Sequence, residues 1–393
     1  MNLLMKGTKP MNLLTSAKSL TEWMIAVRRE LHQYPELSHQ EEKTKAFIEE
    51  QLTSFGIATK SYTGKDVVGV LRGRLPGKTI AVRADMDALP ILEETGLPFS
   101  SENKGVMHAC GHDGHMAMVL GLAKKLTEEK ADFQGTVVFL FQHAEESVPG
   151  GARELVEAGV LDEVDMVVGG HLWQPLPKGM LGIRKGPIMA GASQFEIKIN
   201  GHGGHGSMPH ATVDPIYMAS QIIGQAYAMI NRQFSPEERA VLSFGTIQSG
   251  TNYNIIPNEA NIGGTVRYFD ERVMRSMEEK LDLLLQSVTT AYGGAYELTF
   301  IKGDPPVVND AALVDVMKQE AQTIEGLSDI ADIEPIYAGE DFSHYAQTVP
   351  SVYFLLGMGG DYNHHHPKFD IDESMLKTGC NLMEQTILRL LEG

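Results

Sequence analysis

Residues 79–87 read Thr-Ile-Ala-Val-Arg-Ala-Asp-Met-Asp, an apolar run of strand length that ends on two carboxylates. Three more stretches repeat the arrangement. Residues 136–141 run towards Glu145 and Glu146, 164–169 run into His171, and 351–356 run towards His364, His365 and His366. Residues 67–71 form a further apolar segment, while 114–130 and 152–158 carry apolar residues at helical spacing. Strands that alternate with helices imply an α/β fold with a mainly parallel sheet. Ligands of such sheets bind beyond the carboxyl ends of the strands, so Asp85, Asp87, Glu145, Glu146, His171 and the 364–366 histidines are expected on one rim. Nearer the start, 20–31 and 41–55 have helical spacing, with Ser38 and Glu41 as a capping box for the second helix and Gly56 closing it.

Between residues 191 and 302 the texture changes. Residues 193–200 and 260–268 alternate apolar with polar, 215–231 and 271–291 have helical spacing, and 201–206 is a glycine-rich turn. This is the pattern of an inserted α+β segment, two helices on an antiparallel sheet. Three segments follow: 13–190 and 303–393 form one discontinuous domain, and 191–302 forms the insertion. A chain of 393 residues has length for both. Met-Asn-Leu-Leu occurs at 1–4 and again at 11–14, so the first dozen residues are kept out of the fold.

With 33 Lys+Arg against 51 Asp+Glu, the formal charge of −18 repels phosphate backbones and anionic lipid, and no basic run offsets it. Nucleic acid and membrane surfaces are not expected partners. The apolar runs fall far short of the roughly 18–20 residues of a membrane span, and the start does not read as a secretory signal. The expected compartment is the cytoplasm. Only Cys110 and Cys380 occur, too few for a disulfide framework. Cys380 lies in an amphipathic stretch at 373–391 and reads as packing. The turn at 201–206 lacks the Lys-Ser/Thr of a phosphate loop, and no Gly-x-Ser-x-Gly occurs.

The chemistry points to metal. Residues 107–115, Met-His-Ala-Cys-Gly-His-Asp-Gly-His, set Cys110 among His108, His112 and His115. Thiolate, imidazole and carboxylate together suit zinc, with manganese, cobalt or nickel admitted by the carboxylates. His32 and His39 read as helix-end or surface residues, and Met116 and Met118 as core.

These motifs together resemble the M20 metallopeptidase and amidohydrolase superfamily, in its N-acyl-amino-acid amidohydrolase branch. The resemblance spans nearly the whole chain. It is carried by Leu31-His32-Gln33-Tyr34-Pro35-Glu36, the motifs at 83–91 and 107–115, Ala144-Glu145-Glu146, and Gly-Gly-His-Gly-Ser-Met-Pro-His at 203–210. It continues through Asn-Ile-Ile-Pro at 254–257, Gly-Thr-Val-Arg at 264–267, Glu340-Asp341-Phe342-Ser343 and His-His-Pro-Lys-Phe at 365–369. It implies two divalent metals held by Cys110, His112, Glu146, His171 and one histidine of 364–366. The family pattern sets that last ligand two residues before the proline, at His365, with a one-residue ambiguity in the triple. Asp85 and Asp87 orient ligand histidines. Glu145 is the implied general base, His205 the donor to the developing oxyanion, and Asn254 and Arg267 hold the substrate. His143 stands where relatives often carry proline. The implied activity is hydrolysis of N-acyl-L-amino acids, with N-acetyl-diaminopimelate deacetylation or dipeptide cleavage as alternatives at the same site. A catalytically silent metal- or ligand-binding relative is the alternative of another class. A homodimer through the 191–302 lid segment, with His205 acting across the interface, is the implied assembly.

Overall fold

The strand around residues 79–84 extends from Leu75 to Asp85, and its last six residues are buried. In the computed structural model, which describes residues 14, 17–128 and 133–392, the chain falls into two units. Apart from Leu14, the Met-Asn-Leu-Leu repeat lies outside the described residues, as do the last two of the helix expected at 114–130. The first unit takes residues up to 188, 308–334 and from 344 onward, and the second takes 189–307 and 335–343.

In chain order the first unit opens with α1 (Leu20–Gln33), α2 (Glu42–Ser54), β1 (Val67–Arg72), β2 (Leu75–Asp85), α3 (His112–Glu128), β3 (Gln134–Gln142), α4 (Gly151–Glu157) and β4 (Met166–Trp173). The second unit contributes β5 (Gly191–Asn200), α5 (Pro215–Gln233), β6 (Val241–Ser249), β7 (Glu259–Tyr268), α6 (Glu271–Tyr292) and β8 (Ala295–Lys302). The first unit resumes at Val308, and its later elements include β9 (Ser351–Gly357) and α7 (Met375–Glu392).

An eight-stranded sheet organises the first unit, with β3, β2, β4 and β9 adjacent in that order and mutually parallel. Antiparallel pairing is confined to the flanks, where β1 joins β3 and a short strand at Met180–Ile183 joins β9. The parallel strands are buried on both faces, hence their unbroken apolar runs. Backbones approach closely here. A methyl group at Gly170 of β4 would lie 2.4 Å from the Phe354 ring of β9, so only glycine fits beside His171. Helix α3 is buried along most of its length and packs with α1 and α7.

In the second unit β6, β7, β5 and β8 form an antiparallel sheet in that order, with α5 and α6 sharing its core. Residues 303–307 and 335–343, assigned from sequence to the other domain, group with this unit. The reason is backbone pairing: Ala192 N–H donates to Asp304 O at 3.0 Å, and Ala190 N–H is shared between Ile336 O and Ala338 O.

The capping box expected from Ser38 and Glu41 does not form. Glu41 is the N-cap residue but makes no side-chain cap bond, and the Ser38 hydroxyl donates to Asp87 Oδ2 at 2.6 Å. The Glu36 carboxylate accepts from the Lys43 and Thr44 N–H groups instead. His32 is likewise no surface residue: it is buried, 2.8 Å from Asp113 Oδ2.

Asp113 belongs to a buried charge cluster. Arg28 of α1, fully shielded from solvent, pairs with Asp113 at 2.8 Å, Asp370 at 2.6 Å and Glu373 at 3.2 Å. Burial alone would raise the Asp113 pKa, but Arg28 and then His32 hold it well below the usual carboxylate range. The group therefore stabilises the fold above its unfolded-state value of about 3.9, and that contribution is lost as pH falls towards the lower folded value. Asp113→Asn is expected to cost about 3–5 kcal/mol at neutral pH, as when one partner of a buried pair is removed. Wild type and variant should converge only in acid. Denaturant unfolding at a series of pH values measures this, and equal midpoints at neutral pH would contradict it.

Candidate metal centre and active site

The carboxyl ends of the parallel strands bring the first unit's candidates together. Asp85 closes β2, His171 lies in β4, and Glu145 and Glu146 follow β3 in a turn whose Ala144 has a φ of 54°. Cys110 and His112 flank Gly111, where a φ of 95° turns the chain into the first residue of α3.

Ligand atoms of Cys110, His112 and His171 lie within 4.8 Å of one another, and so do those of Cys110, Glu146 and His365. The two groups share the thiol. His112 Nδ1 donates to the Asp87 carbonyl at 2.9 Å and His171 Nδ1 to the Leu172 carbonyl at 2.9 Å, which leaves each Nε2 for the cluster. His171 Nε2 is 3.4 Å from Cys110 Sγ. His112 Nε2 and Glu146 Oε1 are buried without a hydrogen-bond partner. Glu146 Oε1 does have His365 Nε2 at 3.2 Å, within ion-pair reach but not in hydrogen-bond geometry. Orphaned nitrogen and carboxylate atoms around one thiol fit a divalent metal.

The protonation pattern agrees. Burial pushes the Cys110 thiol well up, and Glu146, Glu145 and Asp85 push it further. Burial disfavours charge on His112, yet Asp85, Asp87 and Glu146 outweigh it and raise its pKa to about 10. Both shifts share a cause in the carboxylates gathered around the thiol.

The histidine triple separates by hydrogen bonding. His364 Nε2 donates to Leu172 O at 2.9 Å, and His366 stacks on Tyr362 while its Nδ1 accepts from Lys368 N–H. His365, at a φ of 64° and tied to Ala109 O through its own N–H, is the one beside Glu146. His115 has no nitrogen to spare: Nδ1 pairs with Asp85 Oδ1 at 2.7 Å and Nε2 accepts from Leu172 N–H at 3.0 Å. Asp85 also takes Arg83 at 2.7 Å, and Asp87 accepts from Glu146 N–H at 2.9 Å. Ligand-capable atoms of His112, Glu145 and Glu146 form a further group within 4.8 Å, with Glu145 Oε2 3.9 Å from His112 Nε2.

His205, Asn254 and Arg267 belong to the second unit. His205 is exposed on a two-residue ribbon, paired with Ile255, and Asn254 precedes that partner strand. Ser207 N–H donates to His205 Nδ1 at 3.1 Å, so the neutral ring carries its proton on Nε2 and can donate there. Arg267, half-buried on β7, donates to the Val266 carbonyl at 3.1 Å.

Sequence reasoning read Glu41 only as part of a helix cap and missed its place behind the site. Its carboxylate accepts from Ala144 N–H at 2.7 Å and so anchors the turn that carries Glu145; burial and then Asp87 push its pKa up to about 7. No local pattern signals a contact across 103 positions.

Residues 81–389 match the profile of peptidase family M20/M25/M40. Over 287 residues the chain is 49% identical to the N-acyl-L-amino acid amidohydrolase of Geobacillus stearothermophilus, across 73% of this chain and 78% of that one. Thermostable carboxypeptidase 1 of Saccharolobus solfataricus is 42% identical over 373 residues, 92% of this chain and 94% of the relative. The crystal structure of the Bacillus subtilis YXEP protein, described as a dinuclear metal-binding peptidase of the M20 family, matches with a TM-score of 0.86. Its identity is 35%, and the match covers 96% of this chain and 99% of that one.

Proposed function

The chain belongs to peptidase family M20/M25/M40 and is a metal-dependent amidohydrolase; from that premise we propose that it releases L-amino acids from their N-acyl derivatives. One observation carries the reading: Glu145 stands within 4.8 Å of His112 and Glu146, at the edge of a thiol-centred ligand group. The relatives bear on the substrate. One is named for N-acyl-L-amino acids and another is named a carboxypeptidase. Both kinds of substrate present a free carboxylate next to the bond that is cut.

We assign Cys110, His112, Glu146, His171 and His365 as the residues that would hold two divalent ions. Soft thiolate and imidazole favour zinc, while manganese, cobalt and nickel remain compatible with the carboxylates. Ions held there would polarise the scissile carbonyl and acidify the attacking water, from a pKa of about 15.7 towards roughly 7. Glu145 takes the water's proton and returns it to the leaving nitrogen, since an amine leaves only once protonated. Asp85 and Asp87 hold the surrounding histidines and the Glu146 backbone in place. His205 donates from Nε2 to the carbonyl oxygen as negative charge grows on it. Arg267 receives the substrate carboxylate in its guanidinium fork, and Asn254 holds the amide.

We infer further that the second unit dimerises the protein and that His205 serves the partner's site. Support comes from β6, an edge strand with Ile247 58% exposed, since unprotected strand edges tend to pair. Two free buried cysteines suit a reducing compartment, and we assign the enzyme to the cytoplasm. Among the described residues no helix is long and apolar enough to cross a membrane.

Glu145→Gln is expected to keep its metals and lose roughly 10²-fold or more in turnover, whereas Glu146→Gln weakens metal binding itself. Metal content and kcat for both variants test the assignment, and the reverse pattern would exchange the two roles.

The carboxylate clamp is tested with N-acyl amino acids and their methyl esters. Esters should be poor substrates, and Arg267→Ala should raise KM for the acids by the equivalent of about 1.5–3 kcal/mol. Equal rates on acid and ester would remove Arg267 from the site.

Mixing Glu145→Gln with His205→Ala under subunit exchange tests the dimer. A twofold heterodimer then has one doubly defective site and one intact site, so activity should recover to about half that of wild type per dimer. Demonstrated exchange without recovery would return His205 to its own subunit's chemistry.

A further inference from the structure

Behind the Glu145 turn lies a second set of ligand-type side chains that hydrolysis does not use. His143 leads into the turn, His39 precedes α2, and Glu154 stands in the first turn of α4. One ligand atom from each lies within 4.8 Å of the other two. His143 Nε2 is 3.0 Å from Glu154 Oε2, and the His39 and His143 rings are 5.6 Å apart.

Three features distinguish this group from a chance surface contact. His143 is fully buried, and its Nδ1 has no hydrogen-bond partner. His39 holds a φ of 65°, a conformation that non-glycine residues seldom adopt and that gathers at ligand sites. A cation already visits: the Lys65 ammonium is 3.2 Å from His39 Nδ1 and 3.4 Å from Glu154 Oε2. Lys65 is 42% exposed, so its long side chain can swing into water and yield the position. Burial also lowers the His143 pKa despite Glu154, which favours the neutral imidazole that binds metal.

We propose that His39, His143 and Glu154 form a third, mononuclear site for a divalent transition ion such as zinc, nickel or copper, apart from the Cys110 centre. Two imidazoles and one carboxylate select these ions over magnesium or calcium and leave one position for water. Ligands about 2.0–2.1 Å from a tetrahedral ion lie roughly 3.4 Å from each other, so the three atoms close by at most about 1.4 Å. His39 is exposed and Glu154 partly so, and both can make that movement.

The test counts ions per chain by elemental analysis of the full-length protein dialysed against buffered zinc, with cobalt(II) absorption as a second readout. Wild type should hold one ion more than His39→Asn, His143→Gln or Glu154→Gln. His39→Asn, at an exposed position, keeps the test valid if the buried His143 variant fails to fold. Because the comparison is a difference between chains, it stands whether the Cys110 centre holds two ions or fewer. Lys65→Met should tighten the extra ion roughly fivefold by removing a competing charge. Equal ion counts in wild type and all folded ligand variants overturn the site. So does an extra ion gained only by Lys65→Met, which would make the wild-type cluster a lysine ion pair.

Discussion

Arg28 is a full positive charge in a place that water does not reach, and segments that carry the candidate metal centre are tied to it. A buried guanidinium is tolerated only when carboxylates surround it. Here they come from the start of α3 through Asp113 and from the stretch leading into α7 through Asp370 and Glu373. Asp113 follows His112 directly, and Asp370 follows the 364–366 histidines by four residues. One desolvated charge thereby ties a helix with no candidate ligand of its own to two segments that bear candidate ligands.

The candidate centre gathers carboxylates of its own. Asp85, Asp87, Glu145 and Glu146 face a buried thiol and imidazoles, and the protein compensates by holding protons: the thiol keeps its own and His112 gains one. Divalent ions would supply positive charge and release those protons. Folding stability is thereby expected to depend on pH through one set of groups, and binding of ions at the proposed site through another. Asp113 acts on the first and the Cys110 cluster on the second.

Much of this was legible in the sequence, and the reasons are physical. Parallel strands buried on both faces read as apolar runs, so Asp85 at a strand end and Glu145 and the last histidines beyond strand ends could be read before any coordinates, whereas His171, expected past its strand, lies inside β4. Alternating polarity marked the second unit equally well. What failed was local inference about polar side chains with distant partners. Ser38 looked like a helix cap but bonds to Asp87, 49 residues on. His32 does sit at a helix end, but the surface alternative failed, because it is buried against Asp113 and Glu93. The one-residue ambiguity in the histidine triple stayed open in the sequence, because the positive φ of His365 that separates it from its neighbours is a backbone feature with no glycine to mark it.

The first unit is interrupted in sequence, and this has a consequence for how the site comes into being. Four of the five candidate ligands have left the ribosome by residue 171, but the fifth and the strand that flanks β4 lie beyond residue 350. Until then β4 has a bare edge on the side β9 will cover, and the intervening residues can form most of the second unit's four-stranded sheet from local pairings. A nascent or prematurely terminated chain thus presents a finished insertion on an unfinished scaffold. On the proposed ligand set, an incomplete copy would lack the fifth ligand and could not offer ions the complete site.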